Sequence, residues 1–171
     1  MLAAYAAATT RIGLGNGVVP IYPRHPVTMA QAAATLNEVS SGRFRLGIGV
    51  SHKSAMEAML GLRLVEPLGV MREYVAVLRG ALAEGTDFQG GHYRVRWSLA
   101  LPKRPPAPPI YLAALSVKML ELAGEIADGA CSGCVRPPTC ATSRCPRSSA
   151  GGAVRASRSP GLRSSPRCRS R

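Results

Sequence analysis

Apolar runs suited to buried strands alternate along this chain with segments whose apolar residues recur at helical spacing, and that alternation commits it to parallel βα units. The run RIGLGNGVV, Arg11 to Val19, follows two threonines and ends at the breakers Pro20 and Pro23, as a buried strand would. Pro26 suits a first helical turn. Met29, Ala32, Ala33 and Leu36 then fall at i, i+3, i+4 and i+7, and Ser40, Ser41 and Gly42 supply the stop. A second strand is expected over Phe44 to Val50, where Phe44, Leu46, Ile48 and Val50 alternate with Arg45, Gly47 and Gly49. A short helical piece around Ser54 to Leu60 precedes the clearest helix, about Leu68 to Ala83, with Val70, Tyr74, Val77, Leu78 and Ala81 on one stripe. Asp87 to Trp97 reads as two short β runs about a Gly90-Gly91 turn, and the proline-rich connector Pro102 to Pro109 as a rigid surface excursion. A strand over Ile110 to Ala114 and a helix with Met119, Leu122, Ala123 and Ile126 on one face follow, before Ala127-Asp128-Gly129 turns toward a further strand.

Strands in such a series, without an evident first or last, favour an arc of a (β/α)8 barrel over a complete doubly wound sheet. The 171 residues fall short of the roughly 250 that a closed barrel takes. Leu2 to Ala8 reads as the tail of a helix, so sequence preceding Met1 is expected to be missing.

All five cysteines and no acidic residue lie after Asp128. Of the formal charge of +13, residues 131–171 contribute nine arginines and no acid, which leaves the body at +4, an ordinary globular balance. This tail has only Val135, Val154 and Leu162 as aliphatic residues larger than alanine, too little apolar area to offset ordering entropy, so it is expected to be disordered. Two units result, residues 1–130 and the Arg/Ser/Pro-rich tail 131–171, whose composition is that of GC-rich coding DNA read out of frame. Cys131-x-x-Cys134 with Cys140 and Cys145 has the outline of a zinc site, yet no acid, histidine or core-forming segment accompanies it, and no metal is expected. Arginines without interleaved aromatics argue against nucleic acid as the main partner. The opening segment lacks the charged start of a signal peptide and no apolar run approaches a membrane span, so a cytoplasmic protein without membrane partner is expected.

In parallel βα architectures ligands collect at the carboxyl ends of strands, here Asn16 to Pro20, Val50 to Ser54 and Ala113 to Ser116. Gly15, Gly17, Gly47 and Gly49 either let a ligand ring approach the backbone or simply pack strands tightly; spacing alone leaves both open. No GxGxxG or P-loop occurs.

Four stretches, TTRIGLGNGV, PRHPVTMAQAAATLNEVSSGRFRLGIGVSH, Phe88-Gln89-Gly90-Gly91-His92-Tyr93 and PPIYLAALSVKMLELAGEIADG, resemble in collinear order the bacterial-luciferase-like monooxygenase superfamily, in its coenzyme F420-dependent branch. The resemblance implies an α/β fold, a partial TIM (β/α)8 barrel covering about strands 3 to 6, with deazaflavin or FMN across its carboxyl end. It implies a bulge at Asn16, Gly17 and Val18 with a cis Gly17–Val18 peptide against the flavin ring. A phosphate turn is implied at Val50, Ser51 and His52, although a Ser-His pair also suits a plain helix cap. A second is implied at Ala113, Ala114, Leu115 and Ser116, where Ser116 can act as hydroxyl donor or N-cap and Leu115 stands where some relatives have glycine. His25 is expected to be a loop or cap residue, His92 a solvated one, and no catalytic acid or base is assigned.

The expected function is therefore that of a fragment of a coenzyme F420-dependent oxidoreductase moving a hydride between deazaflavin and a small organic substrate, with homodimers in the intact family member. An FMN-dependent monooxygenase is the alternative. An inactive fragment, or a basic nucleic-acid-binding protein driven by its tail, are the alternatives of another class.

Overall fold

The computed structural model describes residues 1–98 and 106–131; the expectations for the tail, and for Pro102 to Pro105, lie outside the described residues. Helix α1 (Leu2–Ala8), strands β1 (Leu14–Gly15) and β2 (Val19–Pro20), helix α2 (Pro26–Val39) and strand β3 (Phe44–Gly49) come first. A π-helical turn (Ala55–Met59), helix α3 (Pro67–Leu82), strands β4 (Thr86–Gln89) and β5 (Arg94–Trp97), strand β6 (Ile110–Ala113), helix α4 (Val117–Ile126) and strand β7 (Gly129–Cys131) follow.

β1 and β2 both pair with β3, β3 pairs with β6 and β6 with β7, all in parallel, so each βα unit returns one place further along the sheet. α2 packs on α3 and α3 on α4, which puts successive helices side by side on one face. A doubly wound sheet reverses its strand order and carries helices on both faces; a sheet that never reverses and is covered on one face is the arc of a barrel.

The two faces of the sheet differ as the alternation requires. Leu14, Phe44, Leu46, Ile48, Ile110 and Leu112 are buried under the helices together with Val70, Tyr74, Val77, Leu78, Met119 and Leu122. Burying each large aliphatic side chain stabilises the fold by about 1.5–3 kcal/mol before entropy is set against it. The opposite face carries Arg45, Gly47, Gly49, Tyr111 and Ala113. In α2 the buried stripe is Met29, Ala30, Ala33 and Asn37, while Ala32 faces solvent. The polar member of that stripe, Asn37, donates from Nδ2 to the carbonyl of Pro106 at 2.6 Å, a partner that helical spacing cannot foresee.

The run from Arg11 to Val19 is two strands because of a bulge. Leu14 and Gly15 pair with Phe44 and Arg45, but Val19 and Pro20 pair with Ile48 and Gly49, so one residue on the first strand is extra. Pro20 is tolerated in the ladder because the following residue resumes it, Ile21 N donating to Gly49 O at 3.0 Å.

The Asp87 to Trp97 hairpin is docked by Glu73 of α3. Its carboxylate accepts from the backbone N–H groups of Gly91 (2.9 Å), His92 (2.8 Å) and Tyr93 (3.0 Å), closing a nest about the Gly90-Gly91 turn. Desolvation alone would raise the Glu73 pKa, but these three donors outweigh it and hold the carboxyl below its ordinary value. A carboxyl lowered in the folded state contributes stability above its unfolded pKa and loses it as pH falls through the folded value. Glu73→Gln is therefore expected to flatten the acid limb of stability and to speed amide exchange at Gly91, His92 and Tyr93 at neutral pH. Hydrogen exchange followed by NMR checks it, and unchanged protection of those three amides would refute the docking role.

His92 is exposed, as expected, and places Nε2 3.3 Å from Glu66 Oε2 at the start of α3. The phenols of Tyr74 and Tyr93 meet edge to face at 5.9 Å, and the rings of Tyr93 and His25 at 6.1 Å. Burial, then Tyr22 and Glu73, push the Tyr93 phenol up to about 12, and burial raises Tyr74 further. Both stay neutral at any working pH and serve as packing.

Candidate coenzyme site

Three turns at the carboxyl ends of the parallel strands enclose a cavity of about 620 Å³ lined by Val18, Val50, Ser51, His52, Ala113 and Ser116, and by Pro20, Leu64, Leu68, Leu115, Lys118 and Met119 among others. Its volume lies in the range of small-molecule sites, and its walls are mostly apolar with a few convergent polar groups, as such sites are.

The first turn is the bulge. Gly17 sits at φ +66°, a left-handed conformation that costs glycine nothing, and its carbonyl leans so far over β3 that a Cβ on Gly47 would run into it. Val18 is thereby turned toward β6: a Cβ on Gly49 would stand 2.8 Å from Val18 Cγ1 and 2.9 Å from Ala113 Cβ. The glycines of β3 thus make room for the bulge itself, the tight-packing alternative at Gly47. No peptide bond among the described residues is cis, so the cis Gly17–Val18 peptide expected from the resemblance is trans here. The chain turns here through the positive φ of Gly17.

The second turn leaves β3 through Ser51 at φ +66°, rare for a residue with a Cβ, which swings the chain away from the strand before the π-helical turn. Tyr22 closes this side, its hydroxyl donating to Val65 O at 2.6 Å and so tying the segment after β3 to the loop after β2. The third turn ends in Ser116, whose hydroxyl accepts from Met119 N at 3.2 Å and caps α4. The first-turn N–H groups of α4, at Val117 and Lys118, precede its internal ladder, and with the helix dipole they make this end electropositive.

Of the nine positions named from the sequence, six line the cavity. Asn16 and Gly17 do not; they hold the bulge from behind. Ala114 is buried on the helix side, because strand alternation that turns Ala113 inward turns its neighbour outward. His25 caps α2, its Nδ1 accepting from Val27 N at 3.3 Å, as expected of a cap residue. The sequence reading missed Lys118, Leu64, Leu68 and Met119. Lys118, two residues past the cap, was within reach of the same argument; Leu64 and Leu68 come from a segment whose path only the fold decides. Among the described residues no group of three or more metal-ligating side chains converges, and no helix is long and apolar enough to cross a membrane.

The family model of luciferase-like monooxygenases matches residues 1–167. The chain belongs to that family. It is 39% identical over 131 residues to a 5,10-methylenetetrahydromethanopterin reductase of Archaeoglobus fulgidus, covering 75% of this chain and 39% of that protein. Among solved structures it resembles the coenzyme F420-dependent tetrahydromethanopterin reductase of Methanopyrus kandleri, with a TM-score of 0.68 at 29% identity over 75% of this chain and 42% of that one. A riboflavin lyase bound to modified FMN shares the fold, with a TM-score of 0.69 at 18% identity over 81% of this chain and 37% of that one. The chain thus spans about two fifths of the length of these relatives. The sheet of this family member is part of a TIM-barrel-like α/β fold, in agreement with the order and one-sided cover of its strands.

Proposed function

We propose that this chain carries the coenzyme-binding arc of a coenzyme F420-dependent oxidoreductase that moves a hydride between deazaflavin and a small organic substrate. The observation that carries the reading is the convergence of three separate βα turns, Val18, Val50-Ser51-His52 and Ala113 with Ser116, on one cavity at the carboxyl end of the sheet. The donor set fits the group. Hydroxyls of Ser51 and Ser116, the imidazole of His52 and the ammonium of Lys118 come from two neighbouring turns and suit a phosphate-bearing tail. Val18, Pro20, Leu68 and Met119 offer apolar walls to a planar ring and exclude water from it. When bound, the deazaflavin supplies the two-electron chemistry. The chain supplies orientation, through the Val18 wall, and charge neutralisation, through Ser51, His52, the capped α4 terminus and Lys118.

Titration of the chain with coenzyme F420, followed by its fluorescence, tests this, with FMN as competitor. The expected result is saturable binding that Ser51→Ala and His52→Ala each weaken about tenfold, the loss of one hydrogen bond to a charged group. Binding of FMN alone would move the reading to a flavin-dependent monooxygenase, and binding of neither would refute it.

A further inference from the structure

Odd-numbered residues in and just before β3 bond toward the bulged strand: Arg43 O accepts from Leu14 N and Gly49 O from Ile21 N, each at 3.0 Å. Even-numbered Leu46 bonds the other way, its N–H donating to Pro109 O at 3.0 Å. Between Arg43 and Gly49, the extra residue of the bulge lifts the first strand's backbone out of register, so the N–H and C=O of Gly47 face a gap in the ladder. The side chain of Asn16 fills that gap. Its Oδ1 accepts from Gly47 N at 2.7 Å and its Nδ2 donates to Gly47 O at 2.8 Å.

We infer that Asn16 is a positioning residue: its carboxamide replaces the peptide group that the bulge removes from the sheet, and so holds Val18 as a fixed wall of the cavity. The chemistry demands both a donor and an acceptor on one planar carbon, at the reach of a two-carbon side chain. Aspartate supplies acceptors only and would face the Gly47 carbonyl with a charge; alanine supplies neither; glutamine is one methylene too long for the same register. With Asn16 in place, the Gly17 carbonyl is pinned over Gly47, and Val18 lies beside the same point over Gly49 that Ala113 approaches. The side chain that the resemblance would place against a ligand therefore acts through Val18 and touches none. The effect on coenzyme rests on the function proposed above; the effect on Val18 does not.

The test uses the full chain by NMR and coenzyme titration. In the unmodified protein the Gly47 amide should exchange at least 100-fold slower than an unstructured amide, and the Val18 and Ala113 methyls should show a mutual NOE. In Asn16→Ala, Gly47 exchange should accelerate at least tenfold while the Leu46 amide is unchanged, and the NOE should vanish there and in Asn16→Asp. Coenzyme F420 should bind at least tenfold more weakly, and its induced visible circular dichroism should fall, a signature that general loosening away from the cavity would not produce. Unchanged Gly47 protection in Asn16→Ala overturns the inference, as does an NOE that persists in either variant. Should neither variant fold, the unmodified protein decides: a freely exchanging Gly47 amide overturns it, and slow exchange of both Gly47 and the Asn16 side-chain amide protons supports it. If the unmodified chain binds neither F420 nor FMN, the proposed function falls, and the exchange and NOE data still decide the role of Asn16.

Discussion

Gly47→Ala is expected to cost the chain more stability than any other single methyl group added to it. A Cβ at this position would overlap the carbonyl of Gly17, a backbone group that cannot rotate away. Overpacking of flexible side chains costs about 1–3 kcal/mol; here relief requires either β3 or the bulge to leave the ladder, so the upper end or beyond is expected. Urea unfolding followed by far-UV circular dichroism checks it, with Gly124→Ala as an internal control. Gly124 lies within α4 with nothing inside 4 Å of a built Cβ, and alanine there should stabilise by up to about 1 kcal/mol. Equal midpoints for Gly47→Ala and the unmodified chain would mean that the bulge does not sit over Gly47.

Arg43→Ala is expected to release the N-terminal segment from the sheet. This guanidinium donates to Ser40 O (2.8 Å), Ile12 O (2.7 Å), Thr9 Oγ1 (3.2 Å), Ala6 O (3.0 Å) and Thr9 O (2.6 Å). One side chain thus satisfies the Ala6 carbonyl, one of those the end of α1 leaves open, and clips the following loop to the start of β3. Hydrogen bonds from a charged group contribute about 1.5–3 kcal/mol, and those made by one residue do not add in full, so a loss of about 3 kcal/mol is expected. Arg43→Lys should recover little of it, because an ammonium cannot reach acceptors spread around a planar fork. Limited proteolysis that cuts between residues 8 and 14 in the variant, and spares the unmodified chain, would show the release; equal resistance would argue against it.

The helices were legible because a stripe of apolar residues at helical spacing is a local signal: Val70, Tyr74, Val77, Leu78 and Ala81 all proved buried in α3. Alternation in Phe44 to Gly49 and the Gly90-Gly91 turn were legible for the same reason. The position of the bulge at Asn16, Gly17 and Val18 came from resemblance, and the register confirms it. What failed were inferences needing a partner distant in sequence. Ala32 was placed in a core stripe that Ala30 and Asn37 occupy, the Nδ2 of Asn37 donating to Pro106 O, 69 residues away. Ala114 was placed in the site although the phase of β6 turns it to the helices.

Sequence alone therefore determined the succession of βα units, the family, and the three turns whose residues line the cavity, because periodicity and motif order are properties of neighbouring residues. Only the tertiary structure decided that Asn16 serves the ladder, that Glu73 and Arg43 serve as clamps, and that Lys118, Leu64 and Leu68 join the cavity. Each of those roles is a match of donor to acceptor, or of shape to space, between segments that chain order keeps apart and folding brings within about 3–4 Å.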